Sequence, residues 1–139
     1  MSYLLDTCLL SELPKAHPNA GVVAWIETTD ESLCYVSVLT LGELLKGIEK
    51  LADGQRKKVI RDWFEQDVVT RFQDRILSAD LGICLRWGQL SADLSRRGCP
   101  RPALDALLAS TALVNDLVLV TRNERDFAHT GVKIINPWT

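Results

Sequence analysis

The chain has 139 residues, enough for one domain around a single core. With 47% hydrophobic and 24% charged residues, its composition is that of an ordinary soluble globular protein, which excludes disordered, fibrous and low-complexity classes. A net charge of −2 argues against a non-specific polyanion binder but not against an enzyme that touches nucleic acid locally, and no stretch reaches the ~18 consecutive apolar residues of a membrane span.

Tyr3, Leu4 and Leu5 predict a buried strand over 3–6 that closes on Asp6, whose carboxylate is costly to bury unpaired. The following TCLLSELPK predicts about two helical turns, stopped by Pro14. A second helix is expected from about Pro18 and Asn19, with Pro inside its first turn and Val22, Val23, Trp25 and Ile26 as its apolar face. LCYVS (33–37) predicts a second buried strand, with Ser37 placed to cap a helix over Val38–Lys50, where Val38, Leu41, Leu44, Leu45 and Ile48 recur at helical spacing. After a turn at Gly54 the helical pattern continues through VIRDWFEQDVV, with Val59, Ile60, Trp63, Phe64 and Val68 apolar.

RILSAD (75–80) predicts a third strand, followed by a helix from about Leu81 to Arg97 that stops at Gly98 and Pro100. Pro102 opens a further helix, which Asn115 and Asp116 end. LVLVT (117–121) is a continuous apolar run typical of a central parallel strand, and VKIIN (132–136) predicts a last short strand. This alternation implies a three-layer α/β/α domain with a mostly parallel sheet of four or five strands, and the absence of a linker or repeat implies a single domain over 1–139.

Cys8, Cys34, Cys84 and Cys99 are scattered, with no C-x-x-C pair, and His17 and His129 are the only histidines, so buried thiols are expected rather than a zinc site or disulfides. The N-terminus lacks a basic region ahead of an apolar run, and a cytoplasmic location is expected. Lys46, Lys50, Arg56, Lys57, Lys58 and Arg61 fit a solvated face.

The acids carry the chemistry. In open parallel sheets ligands bind beyond the carboxyl ends of the strands, where Asp6, Asn123 and Asp126 fall. Glu43, embedded in LTLGELLKGI, is expected on or near the buried stripe of its helix, and Asp105 lies in the first turn of the helix after Pro102. Taken singly, Asp6, Asp105 and Asp126 each have an ordinary capping or turn role. Four carboxylates converging on one side of a sheet would repel unless a cation held them, and an all-oxygen donor set suits Mg²⁺ or Mn²⁺. Such a site supports phosphodiester hydrolysis.

The segments YLLDTCLLSEL, VSVLTLGELLKGIEKL and LDALLASTALVNDLVLVTRNERDFAHTGVKIINPW together resemble a PIN-domain protein of the VapC/FitB type, the toxin of a bacterial type II toxin-antitoxin pair. The resemblance implies a Mg²⁺- or Mn²⁺-dependent endoribonuclease, with structured RNA such as tRNA as substrate. It also implies a cognate antitoxin that contacts DNA on the pair's behalf, and homodimers. By position it implies Asp6 and Asp105 as metal ligands, Glu43 completing the cluster and orienting water, Asp126 as the fourth acid, and Thr7, Thr121 and Asn123 lining the site. The chain departs from the family at Cys8, where Asn usually follows Asp-Thr, and a loosened Asp6 is the expected consequence. Leu9, Leu10, Leu13, Val23 and Trp25 are expected to form the antitoxin's groove.

Other classes fit less well. A haloacid-dehalogenase-type phosphotransferase needs an acid at Cys8, a receiver module needs paired acids after its first strand, and no G-x-G-x-x-G or P-loop occurs. The alternative that stands is a non-catalytic PIN-like module that only binds antitoxin or RNA, with Cys8 as its supporting feature.

Overall fold

In the computed structural model, which describes residues 1–139, short apolar runs pair into one sheet and the amphipathic segments between them cover its two faces. The strands are β1 (Ser2–Leu5), β2 (Cys34–Ser37), β3 (Ile76–Leu77), β4 (Leu117–Val120) and β5 (Ile134–Ile135). Their order is β3-β2-β1-β4-β5, with every pairing parallel. Helices α1 (Thr7–Glu12) and α2 (Ala20–Thr28) join β1 to β2. Helices α3 (Val38–Glu49) and α4 (Gln55–Trp63) lead towards β3, and α5 (Leu81–Arg96) and α6 (Ala103–Val114) join β3 to β4. The three-layer α/β/α architecture expected from the alternation is present, with five strands.

Period-two alternation sends β1 and β4 side chains to both faces. Leu5 and Val120 join Leu9, Leu10, Val22, Leu44 and Ile48 in one core cluster. Leu4 and Leu119 join Leu90, Leu94, Leu108 and Ala112, from α5 and α6, in the other. All four residues of β4 are buried, as its unbroken apolar run requires.

Local capping sets the boundaries that periodicity misplaces. The third strand stops at Leu77, short of the expected 75–80, because Asp80 turns out to cap α5 and accepts the Ile83 N–H at 3.0 Å. Likewise, β5 covers only two of the residues 132–136, entered after Gly131 at φ 83° and left at Asn136, whose side chain accepts the Trp138 N–H. Pro18 lies outside α2, not in its first turn, since Asn19 caps the helix by accepting the N–H groups of Gly21 and Val22.

Beyond α4 the chain does not continue as a plain α-helix. Phe64–Thr70 form a π-helical turn that keeps Phe64 and Val68 in the core. Two expectations about burial are corrected. Cys84 is exposed on α5, one residue round the helix from buried Ile83, while Cys34 is buried and Cys8 and Cys99 are half-buried; all four are free thiols. Leu9 and Leu10 are core residues, and Trp25 packs edge-on against Tyr3 with ring centroids 5.2 Å apart, so this set is not a continuous surface groove. Leu10 and Leu13 do border a cavity of about 440 Å³ beside Ile26, Trp63, Val68 and Phe72.

Candidate acidic active site

Between β1 and β4 the chain reverses its direction of travel across the sheet, since β2 and β3 extend one way from β1 and β4 and β5 the other. Such a reversal opens a crevice at the carboxyl ends of the two central strands. Asp6 stands there directly after β1, its N–H still in the ladder on Val120 O at 3.1 Å. Its extended backbone lets the side chain cap α1: Oδ1 accepts the Thr7 N–H at 2.7 Å. The other oxygen, Oδ2, accepts the hydroxyl of Thr121, the residue after β4, at 2.8 Å. Asp6 is only 7% exposed, and these donors answer the cost of burying it.

Thr121 in turn accepts the Asn123 N–H at 3.0 Å, so Asn123 serves the site through its backbone while its side chain faces outward. The Cys8 thiol lies 3.7 Å from Asp6 Oδ2 and 3.4 Å from Thr121 Oγ1. Burial pushes the Cys8 pKa up, against the lowering effect of the Thr121 hydrogen bond, and the thiol stays protonated at neutral pH. Asp6 therefore has two short donors, and Cys8 adds a third, longer contact. Thr121→Val is expected to lower stability by about 1–2 kcal/mol, because a buried carboxylate oxygen loses its short donor. Cys8→Ser, which sets a hydroxyl where the thiol stood, is expected to change it by less than about 1 kcal/mol; urea denaturation of both variants checks the contrast.

Asp105 enters the site from the first turn of α6. Its carboxyl is pushed up to about 6, first by burial and then by the negative fields of Asp126, Asp6 and Glu43, with the Arg101 guanidinium pulling the other way. Asp126 sits in the short 3₁₀ turn Glu124–Phe127, exposed beside buried Phe127. Glu43 is not on the buried stripe of α3. That stripe is Thr40, Leu44 and Ile48, and the ~100° step from Leu44 back to Glu43 turns the acid outward, where Oε1 accepts the Thr7 hydroxyl at 2.8 Å.

Asp6, Thr7, Glu43, Asp105, Thr121, Asn123 and Asp126 thus share one rim, held by the ends of β1 and β4, the starts of α1 and α6, the middle of α3 and the turn Glu124–Phe127. Two basic residues at this rim escaped sequence reasoning. Arg101 was signalled by a cation four residues ahead of the acid in RPALD. Arg122, adjoining Thr121, holds its guanidinium 5.5 Å from the Trp138 ring, a pairing of distant residues without a local signal.

The donor set is entirely oxygen apart from the protonated thiol, and the Asp105 pKa is raised first by burial and then by the neighbouring acids, both of which a cation would offset. No three of the acids already close on one point. Binding through one or two carboxylates, with water completing the shell, is the manner of Mg²⁺. Asp6 and Asp105 fit that role.

Several known proteins match along nearly the whole chain. Over 135 residues it is 33% identical to the toxin FitB of Neisseria gonorrhoeae, covering 97% of each protein. It is 32% identical to the VapC ribonuclease Y4jK of Sinorhizobium fredii, covering 97% of this chain and 96% of that one. Among solved structures, FitAB bound to an IR36 DNA fragment contains a chain that superposes with a TM-score of 0.92 at 31% identity, over 99% of this chain and 96% of that one. The family model for the PIN domain matches residues 3–133, which take in every acid of the rim, and the chain belongs to the PIN domain family.

Proposed function

We propose that this chain is a metal-dependent endoribonuclease and the toxin of a type II toxin-antitoxin pair, hydrolysing phosphodiester bonds of structured RNA such as tRNA. The observation that carries the proposal is the placement of acids at the central crevice of the sheet: Asp6 held by the Thr7 N–H and the Thr121 hydroxyl, Glu43 on the hydroxyl of the same Thr7, and Asp105 in the first turn of α6. The names of the toxin and ribonuclease relatives support it.

Asp6 and Asp105 would hold the cation, Mg²⁺ or Mn²⁺. When bound, it supplies charge stabilisation on the phosphate and a water acidic enough to attack at neutral pH. Asp6 is pre-set for this work, its carboxylate plane fixed by Thr7 and Thr121 before any ligand arrives. Glu43, oriented by the Thr7 hydroxyl, positions the attacking water and takes its proton. Asp126, on a turn anchored by Phe127, completes the negative wall, and Thr121 and Asn123 keep Asp6 in place.

Wild-type protein is expected to cleave RNA with Mg²⁺ or Mn²⁺ and to stop on addition of EDTA, with Asp6→Ala and Asp105→Ala inactive. Cleavage indifferent to chelation and to both substitutions would remove the metal-nuclease mechanism. The cognate antitoxin is proposed to lay an apolar helix into the 440 Å³ cavity bordered by Leu10, Leu13, Ile26 and Trp63. A cytoplasmic homodimer is the proposed working form; no helix is long and apolar enough to cross a membrane.

A further inference from the structure

A second groove, of about 270 Å³, starts at the acidic rim itself, sharing Thr7 and Glu43 with the carboxylate cluster and Trp63 with the cavity assigned to the antitoxin. Its near end is Thr7 and Glu43, the pair joined at 2.8 Å. Its floor is the α3 surface around Leu44, Gly47 and Ile48, and Trp63 stands in its wall. At the far end lie Lys15 and Arg56. Lys15 shares its charge with Glu12 at 2.8 Å, whereas Arg56, at the start of α4, is exposed and enters no ion pair.

The polarity of this groove is what an RNA strand leaving the scissile phosphate would meet. With a cation bound, the acidic end would take the phosphate being cut, and an apolar floor with an indole in the wall takes a base by stacking. Cations one step further take the next phosphate. Gly47 faces open space at the groove: a Cβ built there meets no atom within 4 Å, so a larger side chain at this position would enter the groove without disturbing the packing of α3.

We propose that this groove is a nucleotide subsite of the nuclease. A base of single-stranded RNA flanking the cleaved bond lies over Gly47 against Trp63, and Arg56, assisted by Lys15, bonds the adjoining phosphate. The proposal rests on the nuclease function proposed above, and the two are separable because the subsite binds RNA without cutting it.

The test is fluorescence anisotropy of the full chain with a short labelled single-stranded RNA in Ca²⁺ at low salt, with the RNA checked to be intact at the end of the titration. Gly47→Leu replaces a mid-helix glycine with a better helix former, so its melting temperature should equal or exceed the wild-type value. Its RNA affinity should nonetheless fall about tenfold or more. Arg56→Gln should lower the slope of log affinity against log salt by about 0.7. Lys58→Gln, on the outer face of α4, should do neither. Full-strength binding by Gly47→Leu, or no binding by the wild type, overturns the subsite. So does loss of antitoxin binding alone in Gly47→Leu, which would give the groove to the protein partner. A wild type that binds RNA through Gly47 and Arg56 but never cleaves with any divalent metal would retain the subsite and sink the nuclease function instead.

Discussion

Asp105→Asn is expected to yield a protein that folds more stably than the wild type in metal-free buffer at neutral pH and no longer cleaves RNA. The carboxyl is pushed up to about 6 from an ordinary 3.8, chiefly by burial and then by three neighbouring acids. Because the folded-state pKa lies above the unfolded one, the native state holds the proton more tightly. Stability from this group is therefore greatest below about pH 4 and falls as pH rises through 4 to 6, then stays flat. At a half-buried position solvent screening reduces the effect, leaving a penalty on the order of 1 kcal/mol at pH 7 that the neutral amide removes. Urea midpoints measured from pH 4 to 7 should decline for the wild type in that window and stay level for the variant. Saturating Mg²⁺ should reverse their order, since a ligand at a hundredfold excess over its dissociation constant stabilises by about 2.7 kcal/mol and the variant has lost a ligand. Cleavage should fall by at least about a hundredfold. A variant less stable than the wild type without metal would mean that neither burial nor the neighbouring acids penalise the Asp105 charge, and the cation site would lose its physical basis.

The parts of this fold that were legible in the sequence are those where one physical signal decides the outcome. An unbroken apolar run made β4 central, a 3–4 spacing made α3, and Gly98 at φ 72° closed α5 where the glycine stood. The rule that ligands gather at strand ends located Asp6 before any geometry was known. Elements failed where two signals compete within a few residues. Asp80 ended β3 by serving α5, and the π-turn after Trp63 has an apolar spacing that an α-helix shares. Glu43 was misplaced by a single helical step, because an acid between a stripe residue and a glycine reads as buried until the neighbouring helix fixes which side faces the core. The Thr7–Glu43 bond spans 36 residues and the Thr121–Asp6 bond 115, distances over which a chain carries no local mark of contact. For the same reason Cys8 looked like a gap in the site, when Thr121 supplies a short donor to Asp6 from the neighbouring strand.

Asp6 should behave oppositely to Asp105 in stability while matching it in activity. Both lie at helix N-termini, but Asp105 meets mainly like charges whereas Asp6 is met by donors on both oxygens. Asp6→Ala removes the cap of α1, worth about 1 kcal/mol, and leaves the buried Thr121 hydroxyl without its acceptor, worth about 1–3 kcal/mol. A loss of roughly 2–4 kcal/mol is expected, together with loss of cleavage. Asp6→Asn should fall between, because its carbonyl can still accept the Thr7 N–H while its amide cannot accept from Thr121. Coupling separates the cap from the cross-strand bond: with Asp6 already Ala, Thr121→Val should cost about 1 kcal/mol less than it does in the wild type. If urea denaturation instead finds the two losses strictly additive, Thr121 does not hold Asp6, and the site owes its order to the α1 cap alone.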